Sequence, residues 1–147
     1  MLDSSEELQR VLIVEDDDAR MEIFNKVFED DDVTRAIDAE RGVKWIREAE
    51  FDLVMLDHDL ALKHYGGDID QEGTGQDVAH AICALPEKNH PFVFVHSWNP
   101  DGSRAIGEIL NDGNVEFIRR TFGADIGTYV WSFRRHLLRL RAENIGK

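Results

Sequence analysis

The sequence predicts one α/β domain, a parallel five-stranded sheet held between layers of helix as a three-layer sandwich. Three observations point there. Short apolar runs alternate strictly with segments of helical periodicity, five of each. Three of the runs are almost wholly apolar, as suits strands covered on both faces. The chain of 147 residues is long enough for one proper core and too short for two, and it shows no linker, repeat or low-complexity tract, so residues 1–147 are expected to form a single domain.

The elements follow in order. "VLIV", Val11 to Val14, is the first strand, and Met21, Phe24 and Phe28 recur behind it at helical spacing. Asp16 to Asp18 suit the start of that helix, where carboxylates cap free amides and favour the dipole. "VTRAI", Val33 to Ile37, is the second strand, followed by a helix through Ala39, Val43 and Ile46. "FDLVML", Phe51 to Leu56, is the third. An irregular stretch, Ala61 to Gly73, precedes a helix through Val78, Ile82 and Leu85; loops of that length usually serve function or move. "FVFV", Phe92 to Val95, leads to a helix through Ile106, Ile109 and Leu110, and "VEFI", Val115 to Ile118, to a last helix through Val130, Phe133, Leu137 and Leu140.

Composition excludes some functions. Acidic residues outnumber basic ones 30 to 17, a formal net charge of -13, which disfavours unaided binding to nucleic acid or an anionic membrane. A solvated acidic surface explains the surplus. The lone Cys83 rules out an internal disulfide and reads as a small buried side chain. There is no spanning segment, and "MLDSSEELQR" lacks the basic end and apolar middle of a signal peptide, so a cytoplasmic location is expected.

Open α/β sheets bind ligands at the carboxyl ends of their strands, where the winding reverses. The first strand ends in "EDDD" (Glu15 to Asp18), the third in "DHD" (Asp57 to Asp59) and the fourth in "HSWN" (His96 to Asn99). In the flavodoxin-like order 2-1-3-4-5 these strands are consecutive neighbours, and their polar ends converge. Asp16, Asp17, Asp57 and Asp59 gathered there would repel one another unless a cation neutralised them. Mg2+ suits such an oxygen set and leaves positions for phosphate, with Mn2+ as the alternative that an imidazole ligand would favour.

The chain resembles the receiver domain of bacterial response regulators over nearly its whole length. "VLIVEDD" is similar to the receiver's first strand with its acidic pair, and "DLVMLD" to the strand that carries the phosphoacceptor. The resemblance implies a CheY-like fold, Asp16 and Asp17 as the metal-binding pair, and Asp57 as the residue phosphorylated by a histidine kinase. The match departs at two places: His96 stands where receivers have Thr or Ser, and Arg120 followed by Thr121 stands where they have Lys followed by Pro. Guanidinium and ammonium are not equivalent at such sites.

These departures resemble a narrower group, the receiver-derived family predicted to process cyclic phosphates at RNA ends. Its signatures are similar to "LDHDL" (Leu56 to Leu60), "TG" (Thr74 to Gly75) and "HSxN" (His96 to Asn99). The resemblance implies a metal-assisted phosphoesterase acting on a phosphate-bearing small molecule or RNA end. Asp57, His58 and His96 are then the candidate catalytic groups, with the histidines moving protons. Ser97, Asn99, Arg120 and Thr74 are candidates for the phosphate, and Asp16, Asp17, Asp57 and Asp59 for the metal. The alternatives are a stand-alone receiver in which Asp57 attacks a phosphodonor, and a binding module without chemistry.

Other signals are weaker. "DIDQEG", Asp68 to Gly73, imitates the start of an EF-hand loop, but the twelfth position is Ala79 and a calcium site is not expected. His64 reads as a surface residue, His80 and His90 receive no role, and Trp98 reads as packing. Arg134, Arg135, Arg139 and Arg141 suit the dipole and solvated face of the last helix. No DNA-binding domain is expected, and family resemblance raises the prospect of a homodimer.

Overall fold

The computed structural model describes residues 9–58, 74–97, 100–120 and 126–145. Its strands β1 (Arg10–Val14), β2 (Asp32–Ala36), β3 (Leu53–Leu56), β4 (Phe92–His96) and β5 (Phe117–Arg120) form one parallel sheet in the expected order 2-1-3-4-5. The α-helices among the described residues are α1 (Asp18–Val27), α2 (Ala39–Glu48), α3 (Gly75–Cys83), α4 (Pro100–Asp112) and α5 (Ile126–Ile145).

Strand alternation divides the core in two. Val11, Ile13, Leu53, Met55 and Phe94 face α1 and α5, where they meet Met21, Phe24, Ile126 and Val130. Leu12, Val14, Val54, Leu56, Val93 and Val95 face α2, α3 and α4, where they meet Ile46, Val78, Ile82, Ile106 and Leu110. Each such aliphatic side chain contributes about 1.5–3 kcal/mol by leaving water. The three central strands are therefore apolar on both sides, and polar groups enter there only at the strand ends.

Three helices begin on side-chain caps. Asp17 accepts from the Ala19 amide at the start of α1, Asp38 from Arg41 at α2, and Thr74 from Gln76 at α3. Each cap satisfies an amide that has no partner within the helix and is worth about 1 kcal/mol.

The fifth strand lies two residues beyond its expected range. Asn114 takes a positive φ of 60°, and the Val115 amide donates 2.9 Å back to the Leu110 carbonyl. Val115 is thus spent closing the end of α4, buried but outside the ladder, and pairing begins at Phe117 opposite Val93.

Arg134 also departs from expectation. Its guanidinium turns inward and forks onto Asp31, with Nε–Oδ2 2.6 Å and Nη2–Oδ1 2.8 Å, while the Gln9 amide donates to the same carboxylate at 3.0 Å. The Asp31 side chain is fully buried and that of Arg134 nearly so, so the pair ties α5 to the start of β2. Asp31→Ala is expected to cost about 3 kcal/mol in a urea titration, because it strands a shielded guanidinium as well as removing the contact. Arg135, in contrast, lies over the exposed Trp131 ring at 4.9 Å. Cys83 is half-buried, as its composition suggested; its thiol donates to the Ile109 carbonyl at 3.4 Å, and burial raises its pKa.

Candidate functional site

Sheet register builds the site. Val14 is level with Leu56, and Leu56 with Val95. One residue further along, Glu15, Asp57 and His96 therefore form a row across three neighbouring strands. Side-chain alternation sends all three to the face of Ile13, Met55 and Phe94, toward α1 and α5. All three are buried.

Glu15, Asp16 and Asp57 bring carboxylate oxygens within 4.8 Å of one another. Arg20, from the first turn of α1, lies among them. Its Nη2 stands 2.8 Å from Glu15 Oε2, 3.2 Å from Asp57 Oδ2 and 3.7 Å from Asp16 Oδ1, and its Nε donates to Glu15 Oε1 at 2.9 Å. Burial pushes the Glu15 carboxyl above the usual carboxylate range, and the Arg20 fork pulls it partly back. Burial likewise opposes the Arg20 charge, but its bonds to Glu15 and the nearby carboxylates outweigh burial and raise its pKa. Arg35 completes the wall, donating to the Glu15 carbonyl at 3.0 Å and pairing with Asp18 at 2.9 Å.

His96 is fully enclosed. Its ring meets Phe24 at 4.9 Å between centroids, and Nδ1 lies 3.6 Å from Glu15 Oε1. Among the described residues neither ring nitrogen finds a hydrogen-bond partner. Burial, assisted by the Arg20 charge, lowers its pKa to about 3, so the imidazole is neutral.

The other histidine takes the opposite face. Half-buried His58 sits 3.0 Å (Nε2 to Nε2) from the Gln76 side chain of α3 and packs against α4 at Gly102, where an added Cβ would fall 2.4 Å from the ring. The "TG" pair explains itself here. Thr74 and Asp77 form a reciprocal capping box, the Gln76 amide donating to Thr74 Oγ1 and the Thr74 amide to Asp77 Oδ2, each at 3.1 Å. Gly75 lets the helix start touch the end of β3: its amide donates to the His58 carbonyl at 3.0 Å, and a Cβ would lie 2.2 Å from the Asp57 carbonyl oxygen.

The remaining candidates divide. Ser97 is buried just past β4. Asp17 serves as the cap of α1 with its side chain 41% exposed, apart from the carboxylate group formed by its two predecessors. Arg120 is exposed and lies over the Tyr129 ring at 4.4 Å, and the guanidinium on Asp57 is that of Arg20. Asp59, Asn99, Trp98, Thr121, His64 and the EF-hand-like stretch lie outside the described residues.

Sequence reasoning missed Glu15 and Arg20. The signal for Glu15 was available, since it shares the parity of Val11 and Ile13 and so must point to the same face as Asp57. Arg20 left only the weaker signal of its spacing from Asp16 and Asp17 at the start of a helix.

The fold recurs in solved receivers. A CheY-like receiver domain protein from Methanospirillum hungatei JF-1 superposes with a TM-score of 0.66 at 19% identity, covering 92% of this chain and 98% of that one. The receiver domain of the sensor histidine kinase PA1611 from Pseudomonas aeruginosa PAO1, solved with magnesium coordinated in its active-site cleft, gives 0.63 at 15% identity, with 88% and 97% covered. The Mn2+-bound response regulator Rcp1 gives 0.62 at 17%, with 88% and 91% covered. None of the curated proteins matches the sequence. The family model for the cyclic-phosphate processing receiver domain matches residues 11–112, well over half of the chain, and takes in β1, Asp57, the Thr74–Gly75 pair and His96 together. The chain therefore belongs to the cyclic-phosphate processing receiver domain family.

Proposed function

We propose that the domain processes a cyclic or terminal phosphate, as found on RNA ends, with the help of a divalent cation. The observation that carries this reading is the row Glu15–Asp57–His96, in which a buried neutral imidazole abuts a group of convergent carboxylates. The oxygen set suits Mg2+ or Mn2+, and Glu15, Asp16 and Asp57 are the residues that would hold it. When bound, such an ion polarises a phosphoryl oxygen and orients water.

The side chains supply the rest. His96 is neutral and offers a lone pair; a phosphate entering the pocket adds negative charge and raises its affinity for a proton. His58 lies half-buried on the other side of the Asp57 backbone, oriented by Gln76. Ser97 contributes a hydroxyl beside the row. Thr74 serves by holding α3 against Asp57, since its hydroxyl is taken up in capping. With Arg120 turned to Tyr129, it is Arg20 that brings a guanidinium to Asp57 among the described residues.

The test is turnover of a ribonucleotide 2',3'-cyclic phosphate with added Mg2+ or Mn2+. Wild type should hydrolyse it, and His96→Gln should lose roughly a hundredfold or more, the usual contribution of a proton-transfer group. Wild-type turnover with the variant unimpaired would remove His96 from its role. A second reading, a receiver phosphorylated on Asp57 with a histidine kinase as partner, is favoured by the central place of Asp57 in the row and its contact with a guanidinium. Absence of turnover with either metal, together with a phosphorylated form after treatment with a small phosphodonor, would select it.

A further inference from the structure

One nitrogen atom dominates the acidic pocket. Arg20 Nη2 lies 2.8, 3.2 and 3.7 Å from oxygens of Glu15, Asp57 and Asp16, three carboxylates contributed by the ends of two different strands. The same three side chains offer carboxylate oxygens close enough together to share a metal ion. A divalent ion held by these three carboxylates would compete with the guanidinium for them.

We infer that Arg20 is a built-in counter-cation of this pocket, that a divalent ion enters only by displacing it, and that Arg20 thereby sets the metal affinity. Three features support an exchange. The Glu15 side chain is wholly buried, and its ionised form needs a positive charge beside it. Arg20 meets the need with a bidentate fork, which holds better than an ammonium would. Its own side chain remains 12% exposed at the rim, because it springs from the first turn of α1 and reaches the pocket from the solvent side. The guanidinium can swing outward about its own long side chain without moving the helix.

A second observation is consistent with a further occupant of the pocket. His96 is fully buried against Glu15, and among the described residues both of its ring nitrogens lack hydrogen-bond partners. A pocket closed permanently by an Arg–Glu pair would have no use for this polar ring at its floor. Displaced Arg20 would also stand at the mouth, where it is placed to take an oxygen of an incoming phosphate, a role that Arg120, lying over Tyr129, does not fill from β5.

This inference rests on the metal reading of the site, and the experiment separates the two. Binding of Mn2+ alone to the full chain would be followed by the electron paramagnetic resonance signal of the free ion. Arg20→Met should bind Mn2+ about tenfold tighter or more than wild type, as removal of a competing cation demands. Arg47→Met, which removes the same charge from an exposed position on α2, should change affinity less than about twofold. Equal or weaker binding by Arg20→Met, or an equal gain in Arg47→Met, would overturn the exchange and leave the metal site standing. No saturable binding by wild type or Arg20→Met would overturn the metal reading and the exchange together. The wild type provides a test free of folding defects: the Arg20 Nε–H resonance, hydrogen-bonded to Glu15, should move toward a solvent-exposed position as Mg2+ is added, and an unchanged resonance at saturation would also overturn the exchange.

Discussion

Gly75→Ala is expected to lower the unfolding free energy by about 3 kcal/mol, at the upper end of what overpacking costs. The added Cβ would sit 2.2 Å from the Asp57 carbonyl oxygen, 3.0 Å from its carbonyl carbon and 2.9 Å from Ile106 Cδ1. Two of those atoms are backbone at the end of a central strand, flanked on both sides by its neighbours, so they cannot yield. Relief must come from moving α3 away from β3. That movement breaks the 3.0 Å bond from the Gly75 amide to the His58 carbonyl and disturbs the bond between Gln76 and His58. The proposed phosphate turnover should fall with the stability. Gly107→Ala is the informative control. Its Cβ would meet Arg119 Cδ at 3.0 Å and the edge of the Phe117 ring at 3.2 Å, and the long arginine side chain can shift. Alanine also favours a helix over glycine by about 1 kcal/mol. Urea titrations should therefore show a large loss for the first variant and little change for the second; equal losses would sink the close-approach argument.

Acid should destabilise the protein through His96. Its folded-state pKa of about 3 lies below the ordinary value of 6.5. Between those values the unfolded chain carries a proton on this histidine that the folded chain does not, so stability falls as pH drops through that window and the full contribution is present only above it. A depression of this size corresponds to roughly 5 kcal/mol in all. Glu15 acts in the opposite sense. Its raised pKa means that the folded state retains a proton the unfolded state has lost, and stability declines as pH rises from the ordinary value of 4.5 toward the folded value. Below the ordinary carboxylate value Glu15 is protonated in both states and no longer offsets the histidine, so the acid limb steepens there. His96→Gln removes the titrating ring, and its urea-derived stability should lie flatter than wild type between about pH 6.5 and pH 4 by a few kcal/mol. Parallel curves for the two proteins would show that His96 is not held neutral by burial.

Much of the architecture was legible because burial on both faces leaves a plain trace. "VLIV" and "FVFV" are apolar at every position, so neither could be an exposed strand, and the alternation of such runs with helical spacing leaves few arrangements. The end of β5 was less legible. "VEFI" reads equally well as a strand beginning at Val115, and only the turn through Asn114, with its amide and carbonyl commitments to α4, shifts the pairing to Phe117. The basic face of α5 misled in a similar way. Charge at a helix end is normally solvated, and nothing local to "SFRRHL" marks Arg134 as the partner of Asp31, which lies 103 residues away.

For the site, the sequence by itself determined the stations: acidic, histidine and hydroxyl residues at the ends of the first, third and fourth strands, and a Thr–Gly pair opening a helix. These are local properties, set by where each apolar run stops. Tertiary structure alone decided which of them meet. Register places Glu15, Asp57 and His96 in one row, alternation separates His58 from His96, and the start of α1 converts Asp17 from a prospective ligand into a cap. Most of all, it places Arg20 over all three carboxylates. No single-strand pattern carries that information, because the distance between two charges depends on the packing of a helix against a sheet rather than on their separation in the chain.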